Sequence, residues 1–332
     1  RVIYISPSHK LSRAKAKEYN LCSEGDQILK EIEDKLAGLR KGDRKTLTNI
    51  KDDMKLQVTV WRRMLNENPE IWKKIDRYAN NLIIDEVSMM WTETAQFIME
   101  RFPNHEIVFA GDAGYQLPAF KTKEDKGDRT PFSSAKLNIP VIEFNKIFRV
   151  TCDRQLAIRL EGRKMIKQNK SIAEIEAFYM SKYQIATSKE EVAQLYEAFS
   201  CENGVYKPKD LIICSTNDAC DEWTELLAPL QPVIESGRIQ KYHLRETDRD
   251  HTNGEIVVSA NLAEHLRWYK KNGETLSTIA HAFTAHSTIG ETAAGKVFID
   301  RRRMWEIEHW ETIVGRARRA EDIIIIDIPD TP

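Results

Sequence analysis

Asn81-Leu-Ile-Ile-Asp-Glu-Val-Ser-Met-Met90 is followed, one helix-length later, by Glu106-Ile-Val-Phe-Ala-Gly-Asp-Ala-Gly-Tyr-Gln-Leu-Pro118. Two short apolar runs, Leu82 to Ile84 and Ile107 to Ala110, each lead into acidic residues, and the residues between them have helical spacing. The pattern predicts strand, helix, strand, the right-handed crossover of a parallel sheet. Apolar runs without alternation suit strands covered on both faces. Ligands of such sheets sit beyond the carboxyl ends of the strands, where Asp85, Glu86, Asp112 and Gln116 fall. These residue types in this order suit nucleotide hydrolysis. Asp85 is the expected metal residue, holding Mg²⁺ largely through water, because that ion keeps much of its own shell. Glu86 is the candidate base for an attacking water, and the Gln116 carboxamide can sense a terminal phosphate. Taken alone, Asp85-Glu86 also suits the first turn of a helix, where acids complement the dipole.

Together, D-E-V-S-M and G-D-A-G-Y-Q-L-P resemble motifs II and III of superfamily 1 helicases, in the form found in the RecD, Dda and PIF group. That resemblance implies an α/β fold of two RecA-like domains with parallel sheets. It also implies ATP and Mg²⁺ as cofactors, with Asp85, Asp112, Gly290 and Glu291 at the nucleotide. The expected partner is single-stranded DNA, translocated 5′→3′. The phosphate-cradling G-x-x-x-x-G-K-[ST] loop of that fold matches none of the 14 glycines. It is expected upstream of Arg1, and residues 1 to 332 by themselves are expected not to turn over ATP.

The chain begins with a strand-like run, Val2 to Ile5, then Ser6-Pro-Ser-His9, then a basic helix from Leu11 to about Tyr19. Ser6, Pro7, Ser8 and His9 resemble motif Ia, which lies against a single-strand backbone; taken in isolation the residues favour an ordinary strand-to-helix turn capped by Ser8. Residues 23 to 55 are charged and amphipathic, the pattern of a solvated helix packed by one side. Gln57 to Leu65 resembles the element before motif II, with Thr59 a phosphate contact and Trp61 either a base-stacking indole or a core residue. Residues 121 to 135 read as a polar surface loop.

Ile142 to Leu156 resembles motif IV and places Arg149 where a guanidinium meets the γ-phosphate, a task suited to its fork and permanent charge. The domain boundary is expected near residue 145, giving 1–145 and 146–332. Residues 153 to 199 read as helices punctuated by Gly162 and Thr187-Ser188. Asp210 to Asn217 reads as a buried strand ending in polar residues, with Thr216 and Asn217 as backbone contacts, and a helix follows from Ala219. Ile239 to Val258 reads as a hairpin around Asn253-Gly-Glu255. The short distance from Asn253 to His286 implies that the β-barrel usual after that turn is reduced or missing.

Ala280 to Thr292 resembles motif V, with His286, Ser287 and Thr288 at nucleic acid; Ser287 stands for the usual Lys and Ile289 for the usual Gln. Val297 to Asp300 and Asp322 to Ile328 read as strands. Glu311 to Ala320 resembles motif VI, with Arg316 as an arginine finger positioned by a helix.

Composition adds little beyond these motifs. Lys plus Arg is 50 against 51 Asp plus Glu, a net charge of −1, so no global basic balance marks a polyanion partner, although a narrow basic track is compatible with it. Five cysteines without a C-x-x-C point to a reduced, intracellular setting rather than a disulfide or zinc framework. Two other function classes fit the same motifs: a viral-type superfamily 1 RNA helicase and a non-catalytic single-strand-binding remnant.

Overall fold

The structure, a computed structural model, describes residues 2–6, 58–60, 76, 80–112, 114–118, 137, 139–144, 147, 149–235, 237–244, 255–259 and 277–329. The chain divides into two compact units. Arg1–Ala113 with Pro118–Pro140 form the first, and Gly114–Leu117 with Val141–Pro332 form the second. The expected helix from Leu11 to Tyr19, the amphipathic stretch 23 to 55 and the loop 121 to 135 lie outside the described residues.

In the first unit, β1 (Val2–Ser6), β2 (Val58–Val60), β3 (Asn81–Ile84) and β4 (Glu106–Phe109) form a parallel sheet in the order β2-β1-β3-β4. A 3-10 turn, Val87–Met89, and helix α1 (Thr92–Arg101) make the crossover from β3 to β4. This is the unit that the two apolar runs predict. Ile5, Leu82 and Ile84 of the sheet, Ala95 and Ile98 of the crossover helix, and Phe102 at its end exclude water from the core.

The second unit contains α2 (Asp153–Lys167), α3 (Ile172–Met180), β5 (Gln184–Ala186), α4 (Lys189–Leu195), β6 (Phe199–Glu202), β7 (Val205–Pro208), β8 (Leu211–Cys214) and α5 (Asn217–Leu227). The chain continues through β9 (Val233–Ile234), β10 (Gly237–Arg238), β11 (Gln240–Leu244), β12 (Ile256–Ser259), β13 (Ser277–Ile279) and β14 (Ala282–Thr284). It ends with β15 (Val297–Asp300), α6 (Glu308–Val314) and β16 (Ile323–Ile326). The central sheet is parallel, in the order β14-β8-β15-β16-β5. Every residue of β8, β15 and β16 is buried, as continuous apolar runs require. The expected hairpin is β11 paired with β12, and β13 joins β11 to complete a three-stranded antiparallel sheet.

Three local signals decide helix starts. Ser171 and Glu174 form a reciprocal capping box at α3, Ser188 caps α4, and the Thr216 hydroxyl accepts from Ala219 N–H at 3.3 Å to cap α5. The reading of 153 to 199 as helices alone needs correction. Gln184–Ala186 is a strand at the sheet edge, because its pairing with Ile324 to Ile326 outweighs the local preference of three residues. Gly162 is not punctuation either. It lies inside α2, where an added Cβ would overlap the Tyr179 ring.

Two buried polar clusters pin this unit. Asp300, at the end of β15, accepts from Trp223 Nε1 at 2.7 Å and from Arg302 Nε and Nη2 at 3.0 and 2.6 Å, and Arg302 Nη1 donates to Glu222 at 2.9 Å. Asp210, just before β8, accepts from Glu197 N–H and Lys296 N–H, each at 2.8 Å, while its carbonyl takes the ammonium of the fully buried Lys241.

Candidate functional site

In the first unit the carboxyl ends of β1, β3 and β4 are laced together by backbone hydrogen bonds. Asp85 N–H donates to Ile5 at 2.8 Å, Ala110 N–H to Ile84 at 2.8 Å, and Val87 N–H to Ala110 at 2.9 Å. Asp85 and Glu86 are therefore held at the end of the sheet and not in the first turn of α1, which begins at Thr92. Tyr4 Oη donates to Asp85 Oδ2. Tyr4 pairs with Ile83, two residues before Asp85, so parallel register puts both side chains on one face of the sheet. The sequence held no local sign of this contact. Glu86 has a left-handed backbone, φ 53° and ψ 39°, at a cost of about 1–2 kcal/mol. Gly111 makes the tight approach possible, since a Cβ there would lie 3.0 Å from Val87 N. Asp112 follows on the same edge, partly exposed.

Ser6 ends β1 and Thr59 lies in β2, paired with Ile5, so both occupy the sheet that carries Asp85. Pro7, Ser8, His9 and Trp61 lie outside the described residues.

In the second unit the structure draws four distant stretches together. Tyr115, Gln116 and Leu117 are all buried, and Leu117 N–H donates to Thr312 Oγ1 at 2.8 Å. The Arg163 guanidinium lies 4.4 Å above the Tyr115 ring. Gln116 Nε2 is buried without a hydrogen-bond partner among the described residues. A buried amide donor left in this condition is costly and calls for an acceptor.

Arg316 is 6 % exposed; its Nε donates to Thr312 carbonyl at 2.8 Å and its Nη1 to the carbonyls of Thr288 and Glu291 at 3.1 and 3.2 Å. Arg149 is exposed, with Nη1 3.4 Å from the Gly315 carbonyl, and Thr151 N–H donates to Arg318 at 3.1 Å. Gly290 takes φ 86°, turning the chain so that Glu291 N–H returns to Thr288 at 2.9 Å. Arg316 needs one correction: it is not on a helix. α6 ends at Val314, and Arg316 sits in the turn after Gly315, where a Cβ would lie 3.0 Å from the Glu311 carbonyl. Arg319, outside that turn, makes a bidentate pair with Asp322 at 2.8 Å.

The remaining candidates share one sheet edge. β8 pairs with β14 through Cys214 and Thr284, so Ser215 to Asn217 and the 3-10 turn Ala285–Thr288 emerge side by side. Asn217 and Ser287 are exposed, and His286 is half-buried. The Ser287 hydroxyl donates to Thr284 carbonyl at 2.8 Å. Thr216 serves as the α5 cap. Thr288 is 1 % exposed, its hydroxyl closed onto Ala285 at 2.9 Å, so its carbonyl on Arg316, and not its side chain, is what it offers the site.

Sequence reasoning missed the support behind these groups. Glu311, 1 % exposed, accepts from Arg159 Nε and Nη2 at 3.1 and 2.8 Å, from Arg163 Nε at 2.8 Å and from Tyr179 Oη at 3.4 Å. Burial, reinforced by Glu311, pushes the Tyr179 hydroxyl well above its ordinary pKa, so it remains a donor. Glu311-Thr312 set between Trp310 and Ile313-Val314 was the available signal.

By sequence the chain matches no protein-family model and no curated protein. By structure it is similar to a Pif1 helicase from Bacteroides solved with ADP-AlF3 and single-stranded DNA. The TM-score is 0.51 at 16 % identity, covering 77 % of this chain and 71 % of that one. It is also similar to Pif1 helicase from Candida albicans, with a TM-score of 0.51 at 14 % identity, over 99 % of this chain and 92 % of that one. The fold is that seen in Pif1 helicases. Its parallel α/β sheets are of the kind found in the RecA-like domains of that fold. Among the described residues, no group of three or more His, Cys, Asp or Glu is arranged to cage a metal, and no helix is long and apolar enough to cross a membrane.

Proposed function

We propose that the protein is an ATP-dependent helicase that moves 5′→3′ along single-stranded DNA. The observation that carries this reading is Gln116: a buried amide donor with no acceptor among the described residues, in a segment tied through Thr312 to the turn that holds Arg316. A terminal phosphate oxygen is the acceptor that would satisfy it, and the donor set therefore fits ATP. ATP supplies the phosphoryl group that is transferred to water.

The chain's own residues do the rest. Asp85, oriented by Tyr4, is the residue that would hold Mg²⁺, an ion that needs no cage of several protein ligands and would supply charge neutralisation at the phosphates. Glu86 takes a proton from the attacking water, and its left-handed backbone is the kind of strain found at working sites. Arg316 and Arg149 offset charge that develops on the phosphoryl oxygens. Asp112, Gly290 and Glu291 complete the nucleotide set, Glu291 through the carbonyl that fixes Arg316. Asn217, His286 and Ser287, on the shared edge of β8 and β14, are the strand contacts of the second unit. Ser6 and Thr59, on β1 and β2, belong to the first.

ATP hydrolysis by the full-length protein, measured with single-stranded DNA, with RNA and with neither, tests the reading, alongside unwinding of duplexes tailed at 5′ or 3′. DNA stimulation, 5′ preference and loss of about 10²–10⁴-fold in Glu86→Gln are expected. Stimulation by RNA alone selects the RNA-helicase class. Strand binding with no turnover selects the non-catalytic one.

A further inference from the structure

Behind Gln116 lies a buried charge cluster that phosphate chemistry does not itself require. Glu311 and Thr312 are consecutive on α6, and consecutive helical side chains point about 100° apart. Glu311 collects Arg159 and Arg163 from α2 and Tyr179 from α3. Thr312 meets Leu117 with its hydroxyl and Arg316 with its carbonyl. Arg163, its Nε anchored on Glu311, spreads its guanidinium over Tyr115. The residues on both sides of Gln116 are thus gripped, Tyr115 by Arg163 and Leu117 by Thr312. Both grips start from one turn of α6, which also fixes Arg316.

We propose that Thr312 and Arg163 are positioning residues that set Gln116 in register with Arg316, with Glu311 as their common anchor. The proposal rests on the helicase reading and names what aligns that site. Gly114–Leu117 groups with the second unit although the residues on either side of it group with the first, which is the arrangement such a grip produces. The contribution is geometric: misplacement by about 1 Å costs a reaction up to about 10²-fold while leaving ground-state binding nearly intact.

The experiment uses full-length protein and four variants. Thr312→Val removes the acceptor for Leu117 N–H while keeping shape, and Thr312→Ser restores it. Tyr115→Ala removes the ring under Arg163, and Tyr115→Phe keeps it. Three quantities are read: kcat and KM for nucleic-acid-stimulated ATP hydrolysis, hydrogen exchange across residues 114–118, and Tm. Thr312→Val and Tyr115→Ala are expected to lower kcat by about 10- to 100-fold, with KM for ATP within about twofold. They are expected to speed exchange in 114–118, while Thr312→Ser and Tyr115→Phe resemble wild type in both. Losses that follow Tm, that fall equally on kcat and KM, or that Thr312→Ser fails to rescue overturn the positioning role. So does unchanged exchange in 114–118. An inactive wild type whose exchange responds as expected overturns the helicase reading, and the positioning role in catalysis with it. An active wild type with indifferent variants overturns the positioning role alone.

Discussion

Replacing Lys241 by Met should flatten one limb of the protein's stability against pH. Lys241 lies on β11 with no exposed surface; Nζ donates to Tyr196 Oη at 3.1 Å and to the Asp210 carbonyl, and it lies 5.2 Å from the centre of the Tyr196 ring. His281, also fully buried, completes the cluster, with Nδ1 3.2 Å from Tyr196 Oη and Nε2 2.7 Å from Gln240 Oε1. Burial lowers the Lys241 pKa from 10.5 to about 7, against a smaller opposing pull from Asp210. Asp210 is itself pushed up by burial. The folded pKa of Lys241 is thus below the unfolded one. Between about pH 7 and 10 the unfolded chain binds the extra proton, so stability rises with pH there, and below pH 7 both states are protonated and this slope vanishes.

At no more than about 1.4 kcal/mol per pH unit, the gain from pH 7 to 8.5 is about 1.5–2 kcal/mol, or roughly 3–8 °C in Tm for a unit of this size. Urea unfolding of wild type and Lys241→Met between pH 6 and 9 measures it. The absolute stability of the variant is not the test, because Met leaves the Tyr196 hydroxyl and the Asp210 carbonyl short of a donor. The difference between the two pH profiles is the test, and parallel profiles would refute the reasoning. Burial, reinforced by the Lys241 charge, lowers His281 to about 3 from 6.5. Stability must therefore fall as pH drops through that window, and this acid limb should survive in Lys241→Met.

Three further outcomes are expected. Glu311→Gln leaves the buried Arg159 and half-buried Arg163 guanidinium groups without their carboxylate and should cost about 3–5 kcal/mol by urea unfolding, with part of it recovered in the Arg159→Met, Glu311→Leu double variant. Gly162→Ala, which in an open helix would stabilise, should instead destabilise by about 1–3 kcal/mol through overlap with Tyr179; a rise in the urea midpoint would contradict the packing. Glu86→Gly relieves the left-handed strain and should raise the stability of the first unit by about 1 kcal/mol net while ATP turnover collapses, a pairing seen by following unfolding and hydrolysis on one preparation.

Buried parallel strands were legible because their composition is forced: β3, β8, β15 and β16 must be apolar on both faces. The acids and the amide at strand ends were legible for the same reason, since polarity resumes where the sheet stops. What escaped depended on distant partners. The strand Gln184–Ala186 exists because β16 lies beside it, and nothing local announces that. The hairpin of β6 and β7 did carry a local sign, Asn203-Gly204, both with positive φ as a two-residue hairpin turn requires. Arg316 was singled out through its motif and placed on a helix, whereas α6 ends at Val314 and Arg316 lies beyond Gly315, a position where a Cβ would crowd Glu311 and Arg159. Tyr4, Arg163 and Thr312 act across 81, 148 and 195 residues of chain, contacts that register and packing create and that no spacing rule encodes.

With β5 set aside and the remaining strands of each central sheet numbered in chain order, both sheets follow the same wiring, second strand, first, third, fourth; β5, which precedes the others in the chain, is added beyond the fourth in the second unit. Each third strand runs into an aspartate, Asp85 after β3 and Asp300 at the end of β15. The two are terminated oppositely. Asp85 is partly open and carries a neutral phenol from Tyr4, whereas Asp300 has no exposed surface and is neutralised in place by Arg302 and the Trp223 indole. A dication cannot displace a permanently charged guanidinium from a dry carboxylate without leaving that charge stranded. The match therefore stops at topology: of these two corresponding acids, one keeps exposed surface and the other has been converted into masonry.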